Sequence, residues 1–270
     1  MSSAASGPKS ARQLYSISKK TGMWDPEQIP VAEDRTDWQA LTDGQRNQLL
    51  KICALFYEGE VSVADTLAWF IPAMPDHDRR MFLVVQEYEE VKHAEFFELY
   101  FREVLGQTDT RLYMVPEYRG VLVDELQDRG KAMGKALIEG NKQELERALV
   151  LGVAHYMGIV EGLMAVSGYD YFDEMIGSRG ILKRLLEGIR LIRADEGRHL
   201  THGMDYLREK LSENPEYVHE VRQLFFHESL KIPARTDFVF EPNDFGLSKA
   251  RMMEMAYAHL AQRQRECGLS

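Results

Sequence analysis

Cysteine is nearly absent from this sequence. The two present, Cys53 and Cys267, cannot build a disulfide framework, which excludes the stapled small domains of secreted proteins and suits a reducing compartment. Basic clusters are absent as well. The chain carries 43 acidic against 33 basic side chains, a formal charge of -10, which argues against nucleic acid as a partner. No stretch reaches eighteen consecutive apolar residues, and the start Met1-Ser2-Ser3-Ala4-Ala5-Ser6-Gly7-Pro8 lacks the apolar centre of a signal peptide. These absences predict a soluble, cytoplasmic protein with no membrane span. Strand-like alternation is missing too, so the expected fold class is all-α.

What is present is enough apolar material for one large core: 44% of 270 residues, with no composition break that would divide it. Residues 1–12, rich in Ser, Ala and Gly, are expected to be disordered, and 13–270 to form a single domain. Within it, 14–38 reads as an irregular arm broken by Gly22, Pro26 and Pro30. A capping box at Thr42 and Gln45 announces the first long helix, which is expected to reach Phe70 and to be ended by Pro72 and Pro75. Asp76 or Asp78 caps the second, which stops near Gly106. Helical periodicity resumes over 116–137. The third long helix starts at Asn141 and ends near Gly168, followed by a short aromatic segment over 169–172. A fourth runs over 180–211 and is closed by Asn214-Pro215. Two further helices, over 215–230 and 248–264, are expected to pack outside these four.

Two of the long helices share a word, Glu90-Val91-Lys92-His93 and Glu196-Gly197-Arg198-His199. Each places a carboxylate and an imidazole one turn apart on one helix face. A single copy is common on helix surfaces. Here each copy follows another carboxylate set in an apolar helix, Glu60 before the first and Glu161 before the second. The order Glu, Glu-x-x-His, Glu, Glu-x-x-His, with spacings of 30 and 35 residues, is a twofold echo. It matches the ligand set of ferritin-like dimetal bundles, one Glu from each of two helices and Glu-x-x-His from the other two. The expected architecture is therefore a ferritin-like four-helix bundle core with extra helices and an irregular amino-terminal arm.

The chemistry explains the pattern. Four carboxylates converging in an apolar interior repel one another and are driven to protonate unless cations neutralise them. Two divalent ions supply that charge. Mixed oxygen and nitrogen donors suit manganese and iron, and two such ions about 3.5–4 Å apart can together reduce O2. Asp195, directly before Glu196, is a candidate hydrogen-bond partner for the His93 imidazole; the alternative is that it faces solvent beside Arg193 and Arg198. Glu58 is a rival to Glu60 as the first ligand, but the two lie nearly opposite on a helix and cannot both point inward. His155 and His202 are read as structural or solvent-facing. Leu67, Phe97, Met157, Leu163, Met164 and Ile192 could line an acyl channel or simply fill the core.

These residues resemble a known family. The arm, with Gly22-Met23-Trp24-Asp25-Pro26 and Asp37-Trp38-x-x-Leu41-Thr42-Asp43, is similar to that of ribonucleotide reductase small-subunit relatives. Gly59-Glu60-x-x-Val63, Glu90-x-x-His93-Ala94-Glu95-Phe96-Phe97 and Tyr156-x-x-x-x-Glu161-Gly162 resemble, more narrowly, the R2-like ligand-binding oxidases. Asp195-Glu196-Gly197-Arg198-His199 is shared with the reductase small subunits more broadly. The likeness spans residues 12–262. It implies a heterodinuclear Mn/Fe site, able to be di-iron, held by Glu60, Glu90, His93, Glu161, Glu196 and His199. It also implies O2 activation, a long-chain fatty-acid-like ligand at the metals, and an ether crosslink between Val63 and Tyr156. On the residues alone, Val63 reads as ordinary core and Tyr156 as a packed aromatic with its hydroxyl satisfied. A homodimer is expected by fold analogy. The separation of Glu60 from Glu90 is a few residues shorter than the subfamily's.

Two other functions stay open at this level. One is a reductase small subunit without a stored tyrosyl radical, since Phe97 occupies the position where the radical type carries a tyrosine. The other is a non-catalytic metal-storage bundle, which is usually shorter and lacks the arm. The two-electron oxidation of an aliphatic C–H bond is the expected reaction.

Overall fold

The computed structural model describes residues 9–107 and 109–269, and every regular element among them is helical. Four long runs form the bundle: α3 (Asp43–Ala73), α4 (His77–Tyr100), the continuous run of α7 (Lys142–Val153) and α8 (Val166–Met175), and α9 (Lys183–Glu213). α3 lies along α4, and α9 packs against both α4 and the middle of the third run.

The boundaries follow from local chemistry. Thr42 and Gln45 form the reciprocal box expected before α3. That helix runs past Phe70 to Ala73, because Pro72 falls in its last turn, where little of the helix remains to be broken. The Asp76 carboxylate accepts from the Arg79 N–H to start α4. A wide turn over Phe101–Leu105 then ends at Gly106, which adopts φ 66°, a left-handed conformation open to glycine. The Asn141 side chain caps α7 through the Glu144 N–H. The third run does not stop at Gly168: Tyr169 and Phe172 stay helical because both rings pack on Phe56, with centroids 5.3 and 5.5 Å away.

Around the bundle lie α1 (Ala11–Thr21), α2 (Arg35–Ala40), the outer run of α5 (Pro116–Arg119) and α6 (Glu125–Glu139), and α10 (Glu216–Ser229), α11 (Ile232–Phe240) and α12 (Lys249–Glu266). Two of these correct the sequence reading. Residues 9–12 are not disordered: Ser10 and Gln13 make a full capping box that starts α1, while 1–8 lie outside the described residues. The arm therefore contains a regular helix before Gly22, and α1 packs on α4 and α9. α11 was not anticipated, because Pro233 reads as a breaker; in the first helical turn its missing N–H has no partner to lose.

Among the described residues one helical run, Lys142–Arg179, is long and apolar enough to cross a membrane, but 83% of its most apolar window is buried inside the protein. It is apolar on all sides because it sits at the centre of the bundle.

The bundle closes tightly where the two Glu-x-x-His helices meet. A Cβ built on Gly188 of α9 would lie 2.0 Å from the Phe96 ring of α4, whereas one built on Gly197 meets nothing within 4 Å. Gly188→Ala should therefore cost about 1–3 kcal/mol of stability through overpacking. Gly197→Ala should leave stability unchanged or raise it by about 1 kcal/mol. Urea unfolding of the two variants checks the difference; equal midpoints would contradict the close approach.

Candidate metal centre

Each of the four bundle runs contributes to one buried cluster. Glu60 comes from α3, Glu90 and His93 from α4, Glu161 from the third run, and Glu196 and His199 from α9. Their donor atoms form two overlapping sets, Glu60, Glu90, His93 and Glu196, and Glu90, Glu161, Glu196 and His199, with the atoms in each set within 4.8 Å of one another. Glu90 and Glu196 belong to both, as groups that bridge two ions would. All six residues are buried.

The hydrogen bonding fits a pair of cations. His93 Nδ1 lies 3.5 Å from oxygens of Glu60, Glu90 and Glu196, and His199 Nδ1 lies 3.0 Å from Glu90 and 3.6 Å from Glu196. Both Nδ1 atoms, and one oxygen each of Glu90, Glu161 and Glu196, have no hydrogen-bond partner in the protein. Buried polar atoms left in this way call for an ion or water. Four carboxylates carry four negative charges, and two divalent ions balance them with the imidazoles neutral.

Electrostatics points the same way. Burial pushes the Glu60 and Glu161 carboxyls well above the usual range, opposed at Glu60 by His93 and reinforced at Glu161 by the charge of Glu196. Burial also raises Glu90, but the two imidazoles outweigh it and hold Glu90 well below that range. Burial disfavours charge on His93 and His199, yet the surrounding carboxylates hold both well above the ordinary imidazole value. The cluster draws positive charge, as protons where no metal supplies it.

The outer nitrogens are fixed by a second, reciprocal set. Asp195 Oδ2, on α9, lies 3.1 Å from His93 Nε2 on α4, and Glu89 Oε2, on α4, lies 2.8 Å from His199 Nε2 on α9. Asp195 is thus buried rather than facing solvent. Lys92 Nζ donates to Asp195 at 2.9 Å, Arg198 Nη2 donates to Glu89 at 2.7 Å, and Arg198 also pairs with Asp195. Two acids and two bases make a neutral buried network, which such a site needs in order not to add uncompensated charge. The arm seals it: the Trp24 indole N–H donates to Asp195 at 2.8 Å, Lys92 donates to the Gly22 carbonyl, and Arg198 Nε donates to Ser18 at 2.8 Å. Glu89, Lys92, Arg198, Trp24 and Gln86 were missed in the sequence. The signal for three of them was there, since the repeated word is longer than four residues: acid-Glu-x-base-His occurs in both copies.

The other candidates are also placed. Glu58 faces away and accepts from Thr110, leaving Glu60 as the inward carboxylate. His155 Nε2 lies 2.8 Å from the Val121 carbonyl, and His202 packs on Phe82, so neither joins the cluster. The helix holding Tyr156 and Glu161 is wound with i→i+5 bonds over Ala154–Ala165, a rare form common at functional sites. That winding brings residues five apart onto adjacent turns of one face. Gln86 Nε2 bridges the two, donating to Tyr156 Oη at 2.8 Å and to Glu161 at 3.1 Å, while Tyr156 Oη donates to Glu90 at 2.8 Å. A cavity of about 70 Å³ opens onto Glu60, Glu90, Glu161 and Glu196. Val63, Leu55, Phe56, Leu122 and Met164 are among its apolar walls. Of the six apolar residues suggested for a channel, only Met164 lines this cavity; Leu67, Phe97, Met157, Leu163 and Ile192 do not.

Residues 11–233 match the ribonucleotide reductase small chain family. Among solved structures, the chain is similar to a mutant of R2-like ligand-binding oxidase with anaerobically reconstituted Mn/Fe cofactor. The match has a TM-score of 0.86 at 22% identity and covers 97% of this chain and 94% of that one. It is also similar to another mutant of that oxidase with aerobically reconstituted Mn/Fe cofactor, with a TM-score of 0.87, 21% identity and the same coverage. The likeness establishes the fold.

Because Asp195 and Glu89 orient the two imidazoles, Asp195→Asn and Glu89→Gln should each weaken metal binding about 10- to 100-fold. Equilibrium dialysis against Mn(II) or Fe(II) measures this, with Glu98→Gln on the exposed face of α4 as the unaffected control. Affinities equal to the control would contradict the orienting role.

Proposed function

The chain belongs to the ribonucleotide reductase small-chain family, and on that footing we propose that it is an O2-activating dinuclear oxidase rather than a reductase subunit. The observation that carries this reading is the pair of overlapping donor sets sharing Glu90 and Glu196, with their inward atoms unpartnered and an apolar cavity at their open side. Glu60, Glu90, His93, Glu161, Glu196 and His199 would hold the ions. Manganese and iron, or two irons, suit the mixed oxygen and nitrogen donors, and the similar oxidase structures hold Mn/Fe. Bound there, the metal pair supplies the electrons that reduce O2 and the oxidising power used on a neighbouring bond.

The chain's own residues then do the following. Asp195 and Glu89 keep the imidazole Nδ1 atoms aimed inward. The arm and Phe97, fully buried against Phe56, keep water out. Phe97 also leaves no phenol at the position where the radical-storing subunits carry one, which argues against a stored tyrosyl radical. The cavity holds a long-chain fatty-acid-like ligand, its carboxylate at the cations and its chain among Leu55, Phe56, Leu122 and Met164. Without cations an anionic head would meet four carboxylates, so ligand and metal binding are coupled.

Val63 lies one turn after Glu60 and lines the same cavity, and Tyr156 Oη donates to Glu90. Both are therefore within the reach of oxidising chemistry at the cluster, and a Val63–Tyr156 ether is proposed. Joining the Tyr156 oxygen to the Val63 β-carbon removes the phenolic and β-hydrogens, two protons and two electrons in all, with O2 as the acceptor. The same two-electron oxidation of an aliphatic C–H bond is the proposed reaction on a substrate. A homodimer is proposed by fold analogy, and a cytoplasmic setting from the two free, buried cysteines.

Peptide mass mapping before and after adding Mn(II), Fe(II) and air tests the proposal. The expected product is a species joining the Val63 and Tyr156 peptides that is lighter by two hydrogens, absent in Tyr156→Phe. Unlinked peptides at full occupancy of both metals would overturn the crosslink and favour the reductase-type reading.

A further inference from the structure

The apolar cavity does not end among apolar groups. Tyr118, Met164 and Tyr171 line both it and a second cavity of about 50 Å³ behind it, whose walls include Ser167, Arg235 and Thr236. Arg235 is 5% exposed. Its Nη2 donates to Glu228 at 2.7 Å and its Nε to the Glu117 carbonyl at 3.4 Å, but Nη1 is buried and has no partner. A buried guanidinium nitrogen left unpaired is costly and calls for an acceptor. Glu228 is shared between Arg235 and Lys231, whose Nζ lies 2.5 Å from its other oxygen, so one carboxylate faces two cations. The hydroxyls of Ser167 and Thr236, which donate to the carbonyls of Leu163 and Ile232 on their own helices, do not accept from Nη1.

The two neighbouring cavities, which share Tyr118, Met164 and Tyr171 as walls, therefore have an attraction for anions on either side and largely apolar groups between. One end is the cation site proposed at Glu60, Glu90, Glu161 and Glu196; the other is Arg235. A simple fatty acid would satisfy only the first and leave its methyl end facing an unpaired guanidinium. We propose that the ligand is an acyl chain with an anionic group at both ends, an α,ω-dicarboxylate, whose remote carboxylate accepts from Arg235 Nη1. The near end of this assignment rests on the dinuclear reading above; the far end rests on Arg235 alone.

The test is calorimetric titration of Mn(II)-loaded, anaerobic protein with dodecanedioate and with dodecanoate. The native protein should bind the diacid about 10- to 100-fold more tightly, the usual worth of a buried charge-assisted hydrogen bond. The double variant Arg235→Gln with Glu228→Gln removes both partners, so neither charge is stranded. It should lose the preference while keeping its affinity for dodecanoate, and Arg235→Lys should retain part of the preference. Equal affinity of the native protein for the two acids would overturn the Arg235 assignment without recourse to any variant, as would a preference that survives the double substitution. Those outcomes leave the dinuclear reading intact. Failure of both acids to bind the metal-loaded protein would instead overturn the proposal that the ligand's near carboxylate sits at the metals.

Discussion

Four carboxylates and two imidazoles in a dry interior cannot keep their ordinary charges unless something positive joins them. That constraint shapes the rest of the molecule. It explains why Glu60 and Glu161 are pushed toward protonation while Glu90 is held down by its imidazole neighbours. It explains why Glu90, Glu161, Glu196, His93 and His199 each leave an atom unpartnered within the cluster. An ordinary bundle would fill this space with Leu and Val at lower cost. The site is the one part of the core that folding alone does not favour, and its presence argues for a bound cation pair.

Holding such a cluster requires that the scaffold around it be rigid and neutral. The crossed pairing of Asp195 with His93 and Glu89 with His199 ties α4 to α9 twice, and Lys92 and Arg198 cancel the charge of the two acids. The arm then closes the outside of this network through Trp24, Gly22 and Ser18. The arm adds the Gly22 carbonyl and the Ser18 hydroxyl to the acceptors that Asp195 and Glu89 already give Lys92 and Arg198. Close packing at Gly188 brings the two helices near enough for the crossing to occur.

Much of this was legible in the sequence. The repeated Glu-x-x-His word, the lone carboxylates in apolar helices and the caps at Thr42, Asp76 and Asn141 are local signals, and local physics sets them. Three kinds of feature were not legible. Residues 9–12 and α11 are too short to show a period, and α11 is masked by a proline that is harmless in a first turn. The wide winding over Ala154–Ala165 depends on packing against neighbours, which sequence spacing does not express. The cavity walls were the least readable: of six apolar candidates only Met164 borders the cavity that opens on the cluster, because an apolar residue beside a void and one inside a filled core have the same pattern. Glu89 was missed for a different reason. Its signal, an acid before each Glu-x-x-His word, was present, and only the second copy was read.

The central claim is that the cluster holds two redox-active ions and passes electrons to O2. The direct measurement is to load metal-free protein anaerobically with Mn(II) and Fe(II), count the bound metals per chain by elemental analysis, and then record O2 uptake on mixing with air-saturated buffer. The account predicts two ions per chain and stoichiometric O2 consumption by the loaded protein, lost in Glu196→Ala. Fewer than two ions per chain, or two ions that leave dissolved O2 unchanged, would contradict it.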